Sequence, residues 1–142
     1  TNQHAAFAAL PADMQERAKA LSVHHVYNSP FAPRRMQKLS AEEQKVAAPD
    51  AWHPLARPHP VDGRRAIYLN PIRTAEIEGM DEAAAQDLLN EMLAHSTQPR
   101  FVYSHEWKVG DVLIWDNPQA LHMVSHDYPE DEVRVMHRTL IH

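Results

Sequence analysis

The sequence contains no cysteine and only three glycines among its 142 residues. Without cysteine the chain forms no disulfide and offers neither a thiolate metal ligand nor a thiol nucleophile. All three glycines stand at predicted turns or caps, so no glycine-rich phosphate-binding loop is present. No apolar run reaches the roughly eighteen residues of a transmembrane helix, and no leader peptide is evident. We therefore expect a cytoplasmic protein with no membrane partner.

Positive charge is scarce as well. Asp and Glu number 19 against 14 Lys and Arg, which gives a formal net charge of -5. Because domains that bind nucleic acid are usually basic, we expect no nucleic-acid partner. Histidine is abundant, with 11 residues, and this abundance makes any single histidine weak evidence for a metal site. The length of the chain suits one domain.

Helical patterns mark three segments of the sequence. Apolar residues recur at helical spacing from about residue 11 to residue 21, and Pro11 suits a first helical turn. Ser40 and Glu43 have the spacing of a capping box, which predicts a short helix in "SAEEQKVAA". The stretch "GMDEAAAQDLLNEMLAHST" combines an apolar stripe with Asp81 as an N-cap, and this predicts the longest helix of the chain.

Strand patterns dominate the rest of the sequence. "VHHVY" reads as a short strand, and "VDGRRAIYLNP" predicts a hairpin that turns at Asp62 and Gly63. The C-terminal third predicts four more strands, in "RFVYSHEWKVGDVLIWDN", "ALHMVS" and "VRVMHRTLIH". The proline-rich span 28–62 is expected to be loop apart from its short helix, either a functional lid or disordered. Strands and helices that do not alternate regularly predict an α+β fold with an antiparallel sheet or barrel.

Two arginines fall on one face of the last predicted strand. Alternation in "VRVMHRTLIH" places Arg134, Met136 and Arg138 together. If this face points into a barrel, the guanidinium groups are desolvated and need an anion. A carboxylate or sulfonate, held by two hydrogen bonds, matches the guanidinium geometry. An edge strand with its polar face in water explains the same pattern, and both interpretations remain open here.

His122 follows a predicted strand and a turn in "GDVLIWDNPQALHMV". Asp116 and Asn117 are residues that initiate turns, and a structural role is favoured for both. The loop 125–131 is long enough to return the chain antiparallel, which would bring His122 and Arg134 to the same end of a barrel. By itself, His122 is more typical of a surface or hydrogen-bonded histidine than of a metal ligand.

Other histidines offer weaker candidate sites. His53 and His59 could form a metal-binding pair, but each precedes a proline in a predicted loop and no third ligand stands at a defined spacing. His24 and His25 are adjacent on a predicted strand and must face opposite ways, so only one of them can reach a given site.

Three long segments resemble the taurine/phenoxyacid dioxygenase family. They are "HPLARPHPVDGRRAIYLNP", "GMDEAAAQDLLNEMLAHSTQPRFVYSHEWKVGDVLIWDNPQALHMVSHDY" and "RVMHRTLIH". The resemblance implies a double-stranded β-helix (jelly roll) with flanking helices, with Fe(II) as cofactor and 2-oxoglutarate as cosubstrate. It also implies that molecular oxygen hydroxylates a small anionic substrate, such as a sulfonate, a sulfate ester or an aryloxy acid, with release of succinate and CO2. A homo-oligomer is implied as well.

The same resemblance assigns individual residues. His122 matches the distal iron-binding histidine, and Arg134 matches the arginine that binds the distal carboxylate of 2-oxoglutarate. Arg138 matches an arginine that binds the acidic group of the substrate or is shared with the cosubstrate. No residue is assigned a direct catalytic role. Pro118 is a departure from the family, because an arginine is usual at that position.

The His-x-Asp pair of the family is absent from the sequence. We therefore interpret residues 1–142 as a single domain, the C-terminal part of such an enzyme, which lacks its N-terminal strands and has little or no activity by itself. Two other interpretations remain: a truncated, non-catalytic fragment that still binds anions, and a jelly-roll binding or assembly module without metal chemistry.

Overall fold

The computed structural model describes the chain except for residues 34–35, 126–128, 130, 132, 134 and 140–142. The described part holds four α-helices: α1 (Gln3–Ala8), α2 (Ala12–Ala20), α3 (Ala41–Val46) and α4 (Glu82–Ser96). It also holds five strands: β1 (Ser22–His25), β2 (Ala51–Pro54), β3 (Ala56–Pro58), β4 (Arg65–Ile67) and β5 (Thr74–Ile77). Two short 3-10 helices follow α4, at Pro99–Phe101 and Asn117–Gln119. None of the helices in these ranges is long and apolar enough to cross a membrane.

Side-chain caps explain where α1, α3 and α4 begin, whereas α2 begins after Pro11 without such a cap. The Asn2 side chain accepts a hydrogen bond from Ala5 N at 2.9 Å at the start of α1. Ser40 and Glu43 form both hydrogen bonds of the predicted capping box at α3. The Asp81 carboxylate accepts from Ala84 N at 3.1 Å at the start of α4. Each cap satisfies a backbone N–H that the first helical turn leaves unpaired, and the predicted helices α2, α3 and α4 are confirmed.

The strands form two antiparallel sheets. One has the order β2–β1–β5, and the other is the hairpin β3–β4. The hairpin confirms the turn predicted at Asp62 and Gly63, and Gly63 has a φ of 72°, a left-handed conformation that glycine adopts without steric cost. Pro58 lies on β3, which pairs on one side only, as expected of a proline that cannot donate to a second neighbour. The combination of helices and antiparallel sheets confirms an α+β architecture.

The core lies between the helices and the two sheets. Val23 and Ile77 are opposite each other on β1 and β5, and both are buried. Leu55 between β2 and β3, Met92 on α4 and Phe101 complete the centre of this cluster. Burial of each large apolar side chain stabilises the fold by about 1.5–3 kcal/mol. Almost all of this cluster comes from the first two thirds of the chain.

The proline-rich span contains more regular structure than its sequence indicates. Besides α3 it includes β2 and β3, and these strands pair with β1 and β4. The expectation that this span is loop outside α3 is therefore wrong for residues 51–58. The prolines did not exclude strands because Pro54 ends β2 and Pro58 ends β3, where a missing N–H costs little.

The C-terminal third departs most from expectation. None of the four strands predicted after residue 100 is present among the described residues, and Ala120 contributes a single bridge, to Asn2. Among the residues that the structure describes, twelve of the fifteen exposed large hydrophobic side chains lie after Phe101. Tyr103 and Trp107 are among them. Alternation of apolar residues predicts an extended chain, but a strand also needs a neighbour for its backbone groups, and the described residues supply almost none here.

Candidate functional site

A short, anchored turn carries His122. Asp116 precedes the 3-10 helix Asn117–Gln119, and Gln119 N donates to Asp116 O at 3.1 Å. Ala120 then bridges to Asn2, and Leu121 N donates to Thr1 O at 3.2 Å. The structural role predicted for Asp116 and Asn117 is therefore confirmed. His122 is the first residue after these anchors.

A second anchor joins this turn to the β3–β4 hairpin. His59 Nε2 lies 2.8 Å from Asp116 Oδ2. The His59 side chain is only 12% exposed, whereas half of the Asp116 side chain is accessible. The turn is thus connected to both α1 and the hairpin, although these elements are distant in sequence.

His122 itself is exposed at the edge of the described structure. Its ring lies 4.8 Å from the Trp115 ring, at an angle of 56°. Partial burial holds the pKa of His122 below its ordinary value, and the positive charges of Arg138 and the N-terminal ammonium lower it further. The imidazole is therefore neutral at neutral pH, which is the form that binds metals.

Arg138 lies close enough to His122 for its charge to act on the imidazole. Its side chain is exposed, and residues 135–139 do not form a strand. That Arg138 belongs to the inner face of a strand therefore stays a prediction. Arg134, the other arginine of that predicted face, lies outside the described residues.

In the described part of the chain, His122 offers an imidazole whose chemistry suits a metal, but a complete set of ligands is not found there. Within the described ranges no three His, Asp or Glu side chains are grouped so that they could hold a metal ion. Nor do His53 and His59 form a pair, because His53 packs against His25 and Tyr68 while His59 binds Asp116. A neutral, accessible imidazole at His122 suits one position of a site whose other ligands come from elsewhere.

A partly buried histidine, His25, was not identified by sequence as a functional or structural centre. Its Nε2 lies 3.1 Å from Thr74 Oγ1, and its ring stacks on Tyr68 at 5.2 Å. Burial lowers the pKa of His25 to about 4, and the charges of His53, Arg57 and Arg73 contribute in the same direction.

His24 faces the other side of the sheet, as alternation predicted for this adjacent pair. It stacks on Trp52 and contacts Glu76. His25 is hydrogen-bonded and partly buried, which indicates a structural role.

Comparison with known proteins identifies a family to which this chain is similar. A family profile described as "Taurine catabolism dioxygenase TauD, TfdA family" matches residues 1–140. The alpha-ketoglutarate-dependent 2,4-dichlorophenoxyacetate dioxygenase of Burkholderia sp. (strain RASC) is 37% identical over 122 residues, which cover 85% of this chain and 40% of that protein.

Solved structures agree with this match. A protein of Burkholderia xenovorans, to which an alpha-ketoglutarate dependent 2,4-D dioxygenase activity has been ascribed, superimposes with a TM-score of 0.68 at 36% identity, covering 83% of this chain and 45% of that one. AAD-2, crystallised with Mn(II) and N-oxalylglycine, superimposes with a TM-score of 0.59 at 29% identity, covering 75% and 42%. The chain thus spans less than half the length of these relatives. Because the family profile matches nearly all of its residues, the chain belongs to the TauD/TfdA family of dioxygenases.

Proposed function

We propose that this chain is the C-terminal portion of a non-haem Fe(II)- and 2-oxoglutarate-dependent dioxygenase that hydroxylates a small anionic substrate. The observation that carries the proposal is the neutral, exposed imidazole of His122, which follows an anchored turn and feels the positive charge of Arg138. Membership of the family supports the reaction class. The Mn(II) and the N-oxalylglycine bound to AAD-2 support a metal with a 2-oxoglutarate-like ligand.

His122 would supply one nitrogen ligand to the metal. Iron oxygenases of this type use two histidines and one carboxylate, which leave coordination positions open. The other two ligands would come from the part of the relatives that this chain does not span. When bound, Fe(II) with 2-oxoglutarate and molecular oxygen supplies the oxidising power for C–H hydroxylation, with succinate and CO2 as coproducts. The contact with Trp115 restricts the orientation of the His122 ring.

Arginines would bind the anionic groups. The Arg138 guanidinium is suited to two hydrogen bonds with the acidic group of the substrate or with the cosubstrate. By the family resemblance, Arg134 would bind the distal carboxylate of 2-oxoglutarate. Arg138 also helps to keep His122 neutral, so the same charge would attract an anion and favour the metal-binding form of the ligand. Aryloxy acids and sulfonates are the substrate classes that the names of the relative and the family support.

The exposed apolar segment after Phe101 fits the same proposal. Its alternating residues would form strands of a double-stranded β-helix once their neighbouring strands, in the portion that the relatives possess, are present. Residues 1–142 would then belong to one domain, with part of the span 28–62 covering the substrate entrance. Pairing would satisfy the backbone groups and bury side chains such as Val112 and Ile114, which are more than four-fifths exposed here.

The test begins with the coding sequence upstream of Thr1, which should encode a His-x-Asp pair. The extended polypeptide should then show a weak visible charge-transfer band on anaerobic titration with Fe(II) and 2-oxoglutarate, and should form succinate in air. His122→Ala should remove the band, whereas His95→Ala, a histidine near the end of α4, should retain it. An extended polypeptide that shows no band and makes no succinate would refute the dioxygenase function.

A metal-free, anion-binding role is the second candidate. It is favoured by the exposed side chain of Arg138. Calorimetric titration of the chain with 2-oxoglutarate in the presence of EDTA separates the two functions. Binding that EDTA does not affect and that Arg138→Gln abolishes would support the anion-binding module, while binding that requires the extended polypeptide and Fe(II) would support the enzyme.

A further inference from the structure

His59 and Asp116 form a contact that neither residue's local sequence indicates. The two side chains belong to separate elements, the β3–β4 hairpin and the turn before His122. His59 Nε2 and Asp116 Oδ2 are 2.8 Å apart, a close contact between an imidazole nitrogen and a carboxylate oxygen, and only 12% of the His59 side chain is exposed.

Each ring nitrogen of His59 has its own neighbour. Val61 N donates to His59 Nδ1 at 3.3 Å, whereas Nε2 contacts Asp116. Asp62 lies 3.5 Å from Nδ1, too far for a hydrogen bond. Its two oxygens already accept from Arg64 N at 3.0 Å and from Arg64 Nε at 2.6 Å. Asp62 therefore does not compete with Asp116 for His59.

The backbone of His59 is held firmly within the hairpin. His59 N donates to Arg64 O, and Gly63 N donates to His59 O, both at 2.9 Å. The hairpin in turn packs against α1 through β4, and Arg65 O lies 3.0 Å from His4 Nδ1. His59 thus presents its imidazole from a hydrogen-bonded hairpin to the start of the turn that leads to His122.

We infer that His59 is a positioning residue for His122: by holding Asp116, it fixes the start of the turn 116–121, whose other end is fixed by Asn2 and Thr1. Because both ends of the turn are held, the chain leaves Leu121 in a fixed direction. This direction determines the position of the His122 ring. The role of His122 as a metal ligand rests on the proposed function. The positioning of the turn by His59 does not. Partners that orient a metal ligand typically change metal affinity about 10- to 100-fold when they are removed.

The test uses amide hydrogen exchange and NMR on the 142-residue chain. In His59→Ala, exchange at Leu121 N, which is bonded to Thr1 O, should accelerate about tenfold, a local loosening typical of a lost anchor. The NOE between the Trp115 and His122 rings should weaken. His59→Gln, which retains an N–H near the position of Nε2, should restore most of both signals. Exchange at Leu55 N, bonded to Leu21 O in the core, reports global opening and should stay unchanged.

Two further variants sharpen the result. Asp116→Ala should reproduce His59→Ala, and the double variant should add nothing to either single change. His24→Ala removes another histidine–carboxylate contact, Nδ1 to Glu76 Oε1 at 2.6 Å, on the outer sheet face, and should leave Leu121 exchange as it is. The inference is overturned if His59→Ala leaves Leu121 exchange and the NOE unaltered, or if Leu121 and Leu55 accelerate by the same factor.

A last measurement separates this inference from the proposed function. In the extended polypeptide, His59→Ala should weaken Fe(II) retention about 10- to 100-fold, measured by competition with a chelator, and His59→Gln should restore it. If His59→Ala loosens the turn while His122→Ala leaves Fe(II) retention unchanged, the positioning role of His59 is supported and the iron-binding role of His122 is refuted.

Discussion

His25 should make the stability of this chain depend on pH. Its imidazole lies on the inner face of β1, between Thr74, Tyr68 and His53. Burial is the main reason that its pKa is lowered to about 4, and the nearby positive charges act in the same direction, while a hydrogen bond to the Tyr68 backbone opposes them. The folded chain therefore holds His25 neutral at pH values where an unfolded chain would bind a proton.

The direction and size of the effect follow from this difference. Above the unfolded pKa of about 6.5, both states are neutral and the full stability is present. As pH falls from about 6.5 to about 4, the unfolded state gains a proton that the folded state does not, so the free energy of unfolding falls. The pKa difference sets an upper bound of about 3.4 kcal/mol. Because the ring is only partly buried, solvent screening reduces this, and we expect a loss of about 1–2 kcal/mol.

Urea unfolding between pH 7.5 and pH 4.5 measures the effect. His25→Gln removes the titrating group, so the difference in unfolding free energy between the original chain and this variant should shrink as pH falls. Glutamine can still accept from Thr74, which limits the loss of structure. His24→Gln, on the outer face of the same strand, is the matched control and should retain the pH dependence. If His25→Gln has the same pH dependence as the original chain, the reasoning about the buried neutral imidazole is refuted.

Three other predictions concern packing, capping and activity. Leu55→Ala should lower the free energy of unfolding by about 2–5 kcal/mol, measured with urea, because the side chain is fully buried. Val109→Ala, at a fully exposed position, should change it by less than about 0.5 kcal/mol. Equal losses of unfolding free energy in the two variants would contradict the core described here. Asp81→Ala should cost about 1 kcal/mol through loss of the α4 cap, and Asp87→Ala within the same helix should cost less. The 142-residue chain with Fe(II) and 2-oxoglutarate should form no succinate, because His122 is a single ligand; iron-dependent succinate would overturn that expectation.

Much of the fold could be predicted because its signals are local. The capping box at Ser40 and Glu43, the N-cap at Asp81 and the turn at Gly63 each depend on residues within a few positions of one another. The same holds for the apolar stripe of α4. Such elements form wherever the flanking chain permits them, so the sequence predicted them within one or two residues.

The C-terminal third could not be predicted in the same way. Alternating residues around Val112 and Ile114 indicate an extended chain with two faces, but pairing of strands is decided by partners far away in sequence. In this structure those residues have no strand beside them within the described ranges. The family resemblance was nevertheless correct, because it depends on the identity of residues along the chain rather than on which strands are paired.

For the candidate site, the sequence by itself singled out His122, Arg134 and Arg138, and it determined that only one of His24 and His25 could face inward. Only the tertiary structure decided that His25 is the inner one, since this depends on which sheet face packs against the core. Only the tertiary structure, too, joined His59 to Asp116. The sequence had indicated a weak metal-binding pair for His59 and a turn for Asp116. A contact between side chains of distant elements leaves no periodic or local pattern in the sequence.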